Sequence, residues 1–125
     1  MTATDQELAA QSHRAWNGPR QTVIRVSHLS KRYGAVEAVR GIDLDVRAGE
    51  IFGLIGPDGA GKTSTFQILA GVMEPSSGIV EVFGHPAREA RSQTGYLTQA
   101  FSLYPDLTVA ENIRYIGDLR RVPPD

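Results

Sequence analysis

Alternating apolar and polar positions predict β-structure over much of the chain. Ile42, Leu44 and Val46 alternate with charged residues, which is the two-residue period of a half-buried strand. Runs of β-branched and other apolar residues predict further strands at 23–26, 36–39, 79–83 and 94–97. Because turn-forming residues separate many of these segments, the pattern indicates several short strands joined by tight connections.

A nearly continuous apolar run at 51–55 departs from this alternation. Such a run is typical of a strand that is buried on both faces between parallel neighbours. A glycine-rich loop follows the run, and residues 62–70 have a helical pattern. The order predicts a strand, a loop and a helix in direct succession.

A second helix is predicted close to the end of the chain. Thr108 and Glu111 have the spacing of a capping box, in which each side chain satisfies a free amide at a helix start. Apolar residues then recur at helical spacing, at Val109, Ile113, Ile116 and Leu119. Pro123 and Pro124 end the pattern because neither can donate a backbone hydrogen bond.

Composition limits the class of protein. The chain has 125 residues, of which 41% are hydrophobic and 22% charged, as expected of a globular domain rather than a disordered or fibrous chain. Thirteen Lys and Arg against fourteen Asp and Glu give a net charge of -1, so no overall positive field attracts nucleic acid or anionic lipid. The absence of Cys excludes disulfide frameworks and Cys-ligated metal sites.

The N-terminal residues 1–20 are polar and weakly patterned, and they are expected to form a flexible extension before a domain at 21–125. Asp5 and Glu7 stand where a signal peptide would be basic. No segment approaches the roughly 20 apolar residues that cross a bilayer. The chain is therefore expected to be intracellular and soluble, and able to dock on a membrane protein.

The strongest chemical signal is the segment Gly56-Pro57-Asp58-Gly59-Ala60-Gly61-Lys62-Thr63, which matches the phosphate-loop pattern G-x-x-x-x-G-K-[ST]. Glycines let such a loop curl so that successive N–H groups and a helix N-terminus converge on a phosphate. Lys62 would neutralise the β- and γ-phosphates, and the Thr63 hydroxyl would bind Mg²⁺. The alternative is a glycine-rich turn that only caps a helix, and phosphate loops serve many classes of enzyme.

Three further segments resemble the ATP-binding cassette (ABC) ATPases. Lys31-Arg32-Tyr33-Gly34 is similar to the A-loop of that family, and Gly95-Tyr96-Leu97-Thr98-Gln99 is similar to its Q-loop. The segment from Leu103 to Ile113 resembles the stretch that follows the Q-loop, and the resemblance extends over residues 22–122. The alternatives are a Tyr33 packed within the β-layer and a Gln99 that is an ordinary solvated loop residue.

The resemblance implies an α/β phosphate-loop NTPase fold of the ABC ATPase type. It would consist of an antiparallel β-subdomain and the strand-loop-helix unit, and would stop at the start of the helical subdomain. ATP and Mg²⁺ are the implied cofactors, with Gln99 and Thr63 at the metal and with Lys62 and Gln99 in catalysis. The implied nucleotide-binding residues are Tyr33, Gly56, Pro57, Asp58, Gly59, Ala60, Gly61, Lys62, Thr63 and Ser64.

The chain also departs from the family pattern. Asp58 stands where the family more often has Asn or Ser, and we expect its carboxylate to point toward a partner subunit or solvent because it would repel a polyphosphate. The signature motif, the Walker B Asp, the catalytic Glu and the switch His are not found in the chain. His13, His28 and His85 offer no substitute. We therefore expect ATP binding without hydrolysis by this chain alone.

As a member of an ABC transporter, the chain would act with a membrane permease that contacts residues 99–113, and it would pair with a second cassette. It would then lie on the cytoplasmic face of the membrane, with no nucleic acid as partner. The resemblance favours multidrug or polysaccharide export over import. The alternatives are a truncated remnant without catalytic function, a soluble ABC ATPase that acts on ribosomes or DNA, and another type of phosphate-loop enzyme.

Overall fold

The computed structural model describes residues 21–100 and 103–123. The N-terminal extension predicted at 1–20, with His13, lies outside these residues. The described residues form four strands: β1 (Thr22–Tyr33), β2 (Val36–Arg47), β3 (Ser77–Val82) and β4 (His85–Pro86). The helices are α1 (Lys62–Leu69), α2 (Val109–Leu119) and a 3₁₀ helix (Glu89–Gln93).

The strands form one antiparallel sheet in the order β2-β1-β3-β4, which confirms the expected antiparallel subdomain. The predicted strands at 36–39 and 42–47 are a single strand, β2. A β-bulge joins them, because Leu29 pairs with Ile42 while Ser30 pairs with Arg40, and Gly41 is the extra residue between them. Its φ of 70° lies in the region that favours glycine.

The core lies between the sheet and α1. Leu29 in β1 and Ile68 in α1 are 0% and 1% exposed, so strand and helix bury their apolar faces against each other. The other buried members of the cluster are Val26, Val39, Val80, Val82, Ala87 and Ala90. This packing fixes α1, and with it the loop that precedes the helix, against the sheet.

The predicted strands at 51–55 and 94–97 are wrong for this structure, because neither segment joins the sheet. Ile51 and Ile55 are 101% and 96% exposed, and Leu97 is 90% exposed. A strand that is apolar on both faces is stable only between neighbours that bury it. Residues 21–100 and 103–123 supply no parallel neighbour, so the run at 51–55 stays unpaired.

Helix α2 begins with the predicted capping box, which the structure confirms. The Thr108 amide donates to Glu111 Oε2 at 2.8 Å, and the Glu111 amide donates to Thr108 Oγ1 at 3.3 Å. The apolar positions of α2 are exposed, including Val109 and Ile113 at 73% and 69%. No helix within the described ranges is long and apolar enough to cross a membrane.

A buried side chain, Asn112, ties α2 to the loop before it. Asn112 Oδ1 accepts from the Tyr104 amide at 2.8 Å, and Nδ2 donates to the carbonyls of Tyr104, Leu107 and Thr108 at 3.0–3.1 Å. The side chain is therefore fully hydrogen-bonded although the residue is only 6% exposed. The Asn112 side chain thus fixes the path of the backbone from residue 104 to the start of α2.

The C-terminal end of α2 is closed by a Schellman motif. The Val122 amide donates to the Gly117 carbonyl at 2.9 Å, and the Arg121 amide donates to the Asp118 carbonyl at 3.0 Å. Arg121 has a φ of 55°, the left-handed conformation in which glycine is common. A residue with a side chain in this conformation costs about 1–2 kcal/mol, so Arg121 destabilises the fold by about that amount relative to glycine.

Acidification is expected to weaken the start of α2. Hydrogen bonds from the Thr108 hydroxyl and amide hold the pKa of Glu111 below its ordinary value of 4.5. Because the pKa is lower in the folded state, this stabilisation is complete above pH 4.5 and is lost as the pH falls through the folded-state value. Urea unfolding followed by circular dichroism, from neutral pH to about pH 3, measures the effect.

Glu111→Gln is expected to remove this part of the pH dependence, and Glu37→Gln, at an exposed position on β2, is the matched control. The parent chain and the Glu37 variant should lose stability together on acidification. If Glu111→Gln follows the same curve as the parent, the ionised capping box does not stabilise α2.

Candidate functional site

The loop 56–63 packs closely against the sheet because Gly61 has no side chain. A Cβ on Gly61 would collide with the Ala38 carbonyl oxygen of β2 and would lie 2.8 Å from Val39 Cγ2. The φ of 83° is also one that side chains rarely adopt. The buried Thr65 hydroxyl donates to the Gly61 carbonyl at 2.9 Å, which holds the same residue from the helix side. The loop therefore reaches α1 at a fixed position.

Helix α1 begins without any side-chain cap. The first amide with a helical acceptor is that of Thr65, which donates to the Gly61 carbonyl at 2.9 Å. The amides of Lys62, Thr63 and Ser64 therefore have no acceptor within the helix, and no acidic residue stands in its first turn. Free amides and the positive end of the helix dipole make this helix start suited to a phosphate group.

The Lys62 ammonium lies across the loop and adds a full positive charge. Its Nζ donates to the Gly56 carbonyl at 2.7 Å and to the Pro57 carbonyl at 2.6 Å. Among residues 21–100 and 103–123, no carboxylate pairs with it. Asp58, the acidic residue of the loop, is exposed. The loop thus combines free amides with a cation that carboxylates leave unneutralised, which fits a polyphosphate.

Tyr33 is brought to the same helix start from the end of β1. Its hydroxyl donates to Met73 Sδ at 3.0 Å and lies within hydrogen-bond distance of Ser64 Oγ, at 3.1 Å. Lys31 Nζ lies 5.3 Å from the centre of the ring, and Tyr33 is 46% exposed. The structure therefore places an anchored, accessible aromatic ring beside Ser64, in the first turn of α1.

Gln99 is not joined to the loop in the same way. It is exposed, and within the described part of the chain it has no hydrogen bond to residues 56–63. Thr63 is also exposed, and no three His, Cys, Asp or Glu side chains of the described residues form a cluster that could hold a metal ion. A magnesium ion could be held here by Thr63 together with phosphate oxygens, since Mg²⁺ commonly binds one or two protein groups and its substrate.

An open groove of about 340 Å³ runs between the loop and β2. It is lined by Glu37, Ala38, Val39, Arg40, Ile42, Leu54, Ile55, Gly59, Ala60, Lys62 and Thr65. Two contacts around the loop were not anticipated from sequence. The support of Tyr33 by Met73 has no motif that could signal it, whereas the approach of Gly61 to Ala38 is one reason for the second glycine of the loop pattern.

The chain is similar to known proteins over most of its length. The model of the family described as "ABC transporter" matches residues 39–123. The chain is 40% identical over 118 residues to the probable multidrug ABC transporter ATP-binding protein YbhF of Escherichia coli. It is 41% identical over 106 residues to a putative ribose/galactose/methyl galactoside import ATP-binding protein of Rhizobium meliloti. It is 42% identical over 98 residues to the Nod factor export ATP-binding protein I of Burkholderia orbicola.

These matches cover 91%, 80% and 72% of this chain, but only 20%, 21% and 32% of the three relatives. Among solved structures, an ATP-binding subunit of an ABC transporter matches with a TM-score of 0.72 and 30% identity, over 82% of this chain and 44% of that chain. The dimeric bacterial ABC transporter cassette MJ0796 matches with a TM-score of 0.70 and 22% identity, over 82% and 50%. The fold is therefore that of part of an ABC ATPase cassette.

Two glycine substitutions test how the loop is held. Gly61→Ala and Gly59→Ala both force a side chain into a left-handed conformation, at φ 83° and 79°, which costs about 1–2 kcal/mol. Only Gly61→Ala adds a steric overlap with β2, expected to cost about 1–3 kcal/mol more, because the space around a Cβ on Gly59 is open. Urea unfolding of the two variants measures the difference, and equal losses would contradict the close packing of the loop on β2.

Proposed function

This chain belongs to the ABC transporter family, and on that basis we propose that it is the MgATP-binding part of an ABC transporter ATPase subunit. In such a subunit, ATP binding and hydrolysis would be coupled to transport across a membrane. The observation that carries the proposal is the uncapped start of α1, where free amides and the Lys62 ammonium meet at one loop. Preorganised donors of this kind suit a polyphosphate.

Each side chain of the site has a proposed role. The amides of the loop and Lys62 would bind the β- and γ-phosphates, with Lys62 giving up its carbonyl partners for phosphate oxygens. The Thr63 hydroxyl and the Gln99 amide would hold Mg²⁺, which neutralises phosphate charge when bound. The Tyr33 ring would stack on the adenine, since an aromatic face accepts a planar base without directional hydrogen bonds.

Binding rather than hydrolysis is the activity that we propose for this chain by itself. Phosphoryl transfer needs a group that positions the attacking water beside the γ-phosphate. Within the described residues no carboxylate is hydrogen-bonded to the loop, and the amide of Gln99 is the group proposed to reach the water. Hydrolysis would therefore need a water-positioning group beyond those that residues 21–100 and 103–123 place at the loop.

The partners proposed are a transmembrane permease and a second cassette. The exposed apolar positions of α2 support the first proposal, because an exposed row such as Val109, Ile113 and Ile116 gains free energy when another protein covers it. The permease would contact residues 99–113 on the cytoplasmic side of the membrane. The dimeric MJ0796 cassette supports the second proposal. Export is proposed over import because several relatives are named for Nod factor export, against one named for sugar import.

Lys62→Ala is expected to weaken MgATP binding by at least about tenfold, because it removes a charged hydrogen-bond donor from the phosphates. Titration calorimetry of the chain with MgATP measures this change. Arg25→Ala is the matched control, since it removes one exposed cation that pairs with Asp45 on the sheet. Unchanged affinity in Lys62→Ala would remove the phosphate-loop assignment.

Two substitutions of Tyr33 separate stacking from hydrogen bonding. Tyr33→Phe keeps the ring and should change ATP affinity little, whereas Tyr33→Ala should weaken it by about five- to 100-fold, as for other base–aromatic stacks. Tripolyphosphate, which has no base, should bind all three proteins equally. If Tyr33→Ala weakens tripolyphosphate and ATP to the same extent, the ring supports the loop and does not contact adenine.

A further inference from the structure

Four arginines from separate parts of the chain line one open groove of about 520 Å³. Arg88 directly precedes the 3₁₀ helix and Arg91 lies within it, whereas Arg120 and Arg121 directly follow α2. The other lining residues are Glu89, Ser92 and Leu119. The lining therefore has a net formal charge of plus three, from four arginines and one glutamate, in a chain whose net charge is -1.

The groove is held together by contacts that leave two of the arginines available. Arg120 Nη1 donates to the Arg91 carbonyl at 3.3 Å and so joins the end of α2 to the 3₁₀ helix. Arg88 Nη1 lies 3.4 Å from Glu74 Oε1. The guanidinium groups of Arg91 and Arg121 have no carboxylate partner within residues 21–100 and 103–123.

The backbone at Arg121 is the second observation. Arg121 occupies the left-handed position of the Schellman motif, with φ 55°, where a glycine would close the helix with less strain. A cation near the negative end of the helix dipole accounts in part for Arg120 and Arg121. The dipole does not account for Arg88 and Arg91, which belong to another element. Strain at one residue and convergence of four cations point to a use for the charge.

We propose that this groove binds a phosphate group, at a site separate from the loop at 56–63. The planar guanidinium fork matches two phosphate oxygens at once, and phosphate carries enough charge and enough acceptors to engage more than one arginine. The groove shares no lining residue with the phosphate loop, so the proposal does not rest on the proposed function. The phosphate could belong to a free anion or to a lipid headgroup.

Pyrophosphate is the probe for the free anion, and the full 125-residue chain with Lys62→Ala is the background, which suppresses binding at the loop. Titration is done at low ionic strength, where exposed charges are weakly screened. Arg91→Ala and Arg121→Gly are each expected to weaken pyrophosphate binding about tenfold. Arg114→Ala, on α2 but outside the groove, is the matched control and should leave it unchanged.

Arg121→Gly also separates binding from stability. It removes the charge and relieves the strained backbone, so the midpoint of thermal unfolding should not fall. If Arg121 had only a structural role, Arg121→Gly would have the same unfolding midpoint and the same pyrophosphate affinity as the Lys62→Ala background. Arg91→Ala gives a second reading, because only the carbonyl of Arg91 bonds to Arg120 and the side chain can be removed without losing that bond.

Vesicles distinguish the source of the phosphate. If the groove takes a lipid headgroup, the chain sediments with phosphatidylglycerol vesicles and less with phosphatidylcholine vesicles, and Arg91→Ala and Arg121→Gly reduce the bound fraction. If it takes a free anion, pyrophosphate binds and vesicles do not. The proposal is overturned if neither probe binds, or if Arg114→Ala reduces binding as much as the two groove variants do.

Discussion

The start of α1 lies directly against the backbone of β2, and the proposed site depends on that contact. Gly61 leaves no side chain between the helix and the Ala38 carbonyl, and the buried Thr65 hydroxyl holds the Gly61 carbonyl from the other side. The three free amides of the first turn therefore have a fixed position on the sheet. Donors that are already in place need little reorganisation when an anion binds, which is how a helix start becomes a binding site rather than a frayed end.

Elements specified by neighbouring residues were predictable from the sequence, and elements specified by distant partners were not. The capping box of α2 needs only Thr108 and Glu111, and the structure confirms it. The apolar run at 51–55 indicated a buried strand, but a strand exists only when other strands bond to it, and the described residues provide none. The bulge at Gly41 is likewise not predictable from neighbouring residues, because it depends on the register of β1 with β2.

The site shows the same division. The loop motif identified Lys62 and Thr63 directly, and resemblance to a family indicated Tyr33. The support of Tyr33 by Met73 could not be predicted, since the two residues are 40 positions apart and no pattern links them. The arginine groove could not be predicted from the net charge, because the net charge does not show which charged residues the fold brings close together. The binding roles of Lys62, Thr63, Tyr33 and Gln99 stay predictions.

The side chain of Asn112 has a consequence for how the region before α2 behaves. It bonds to four backbone groups between Tyr104 and Thr108, so the loop and the first turn of α2 cannot open independently. Segments linked in this way unfold and refold as one cooperative unit. A partner that docks on this region would therefore meet a surface that is already ordered, and association would lose little conformational entropy in the loop.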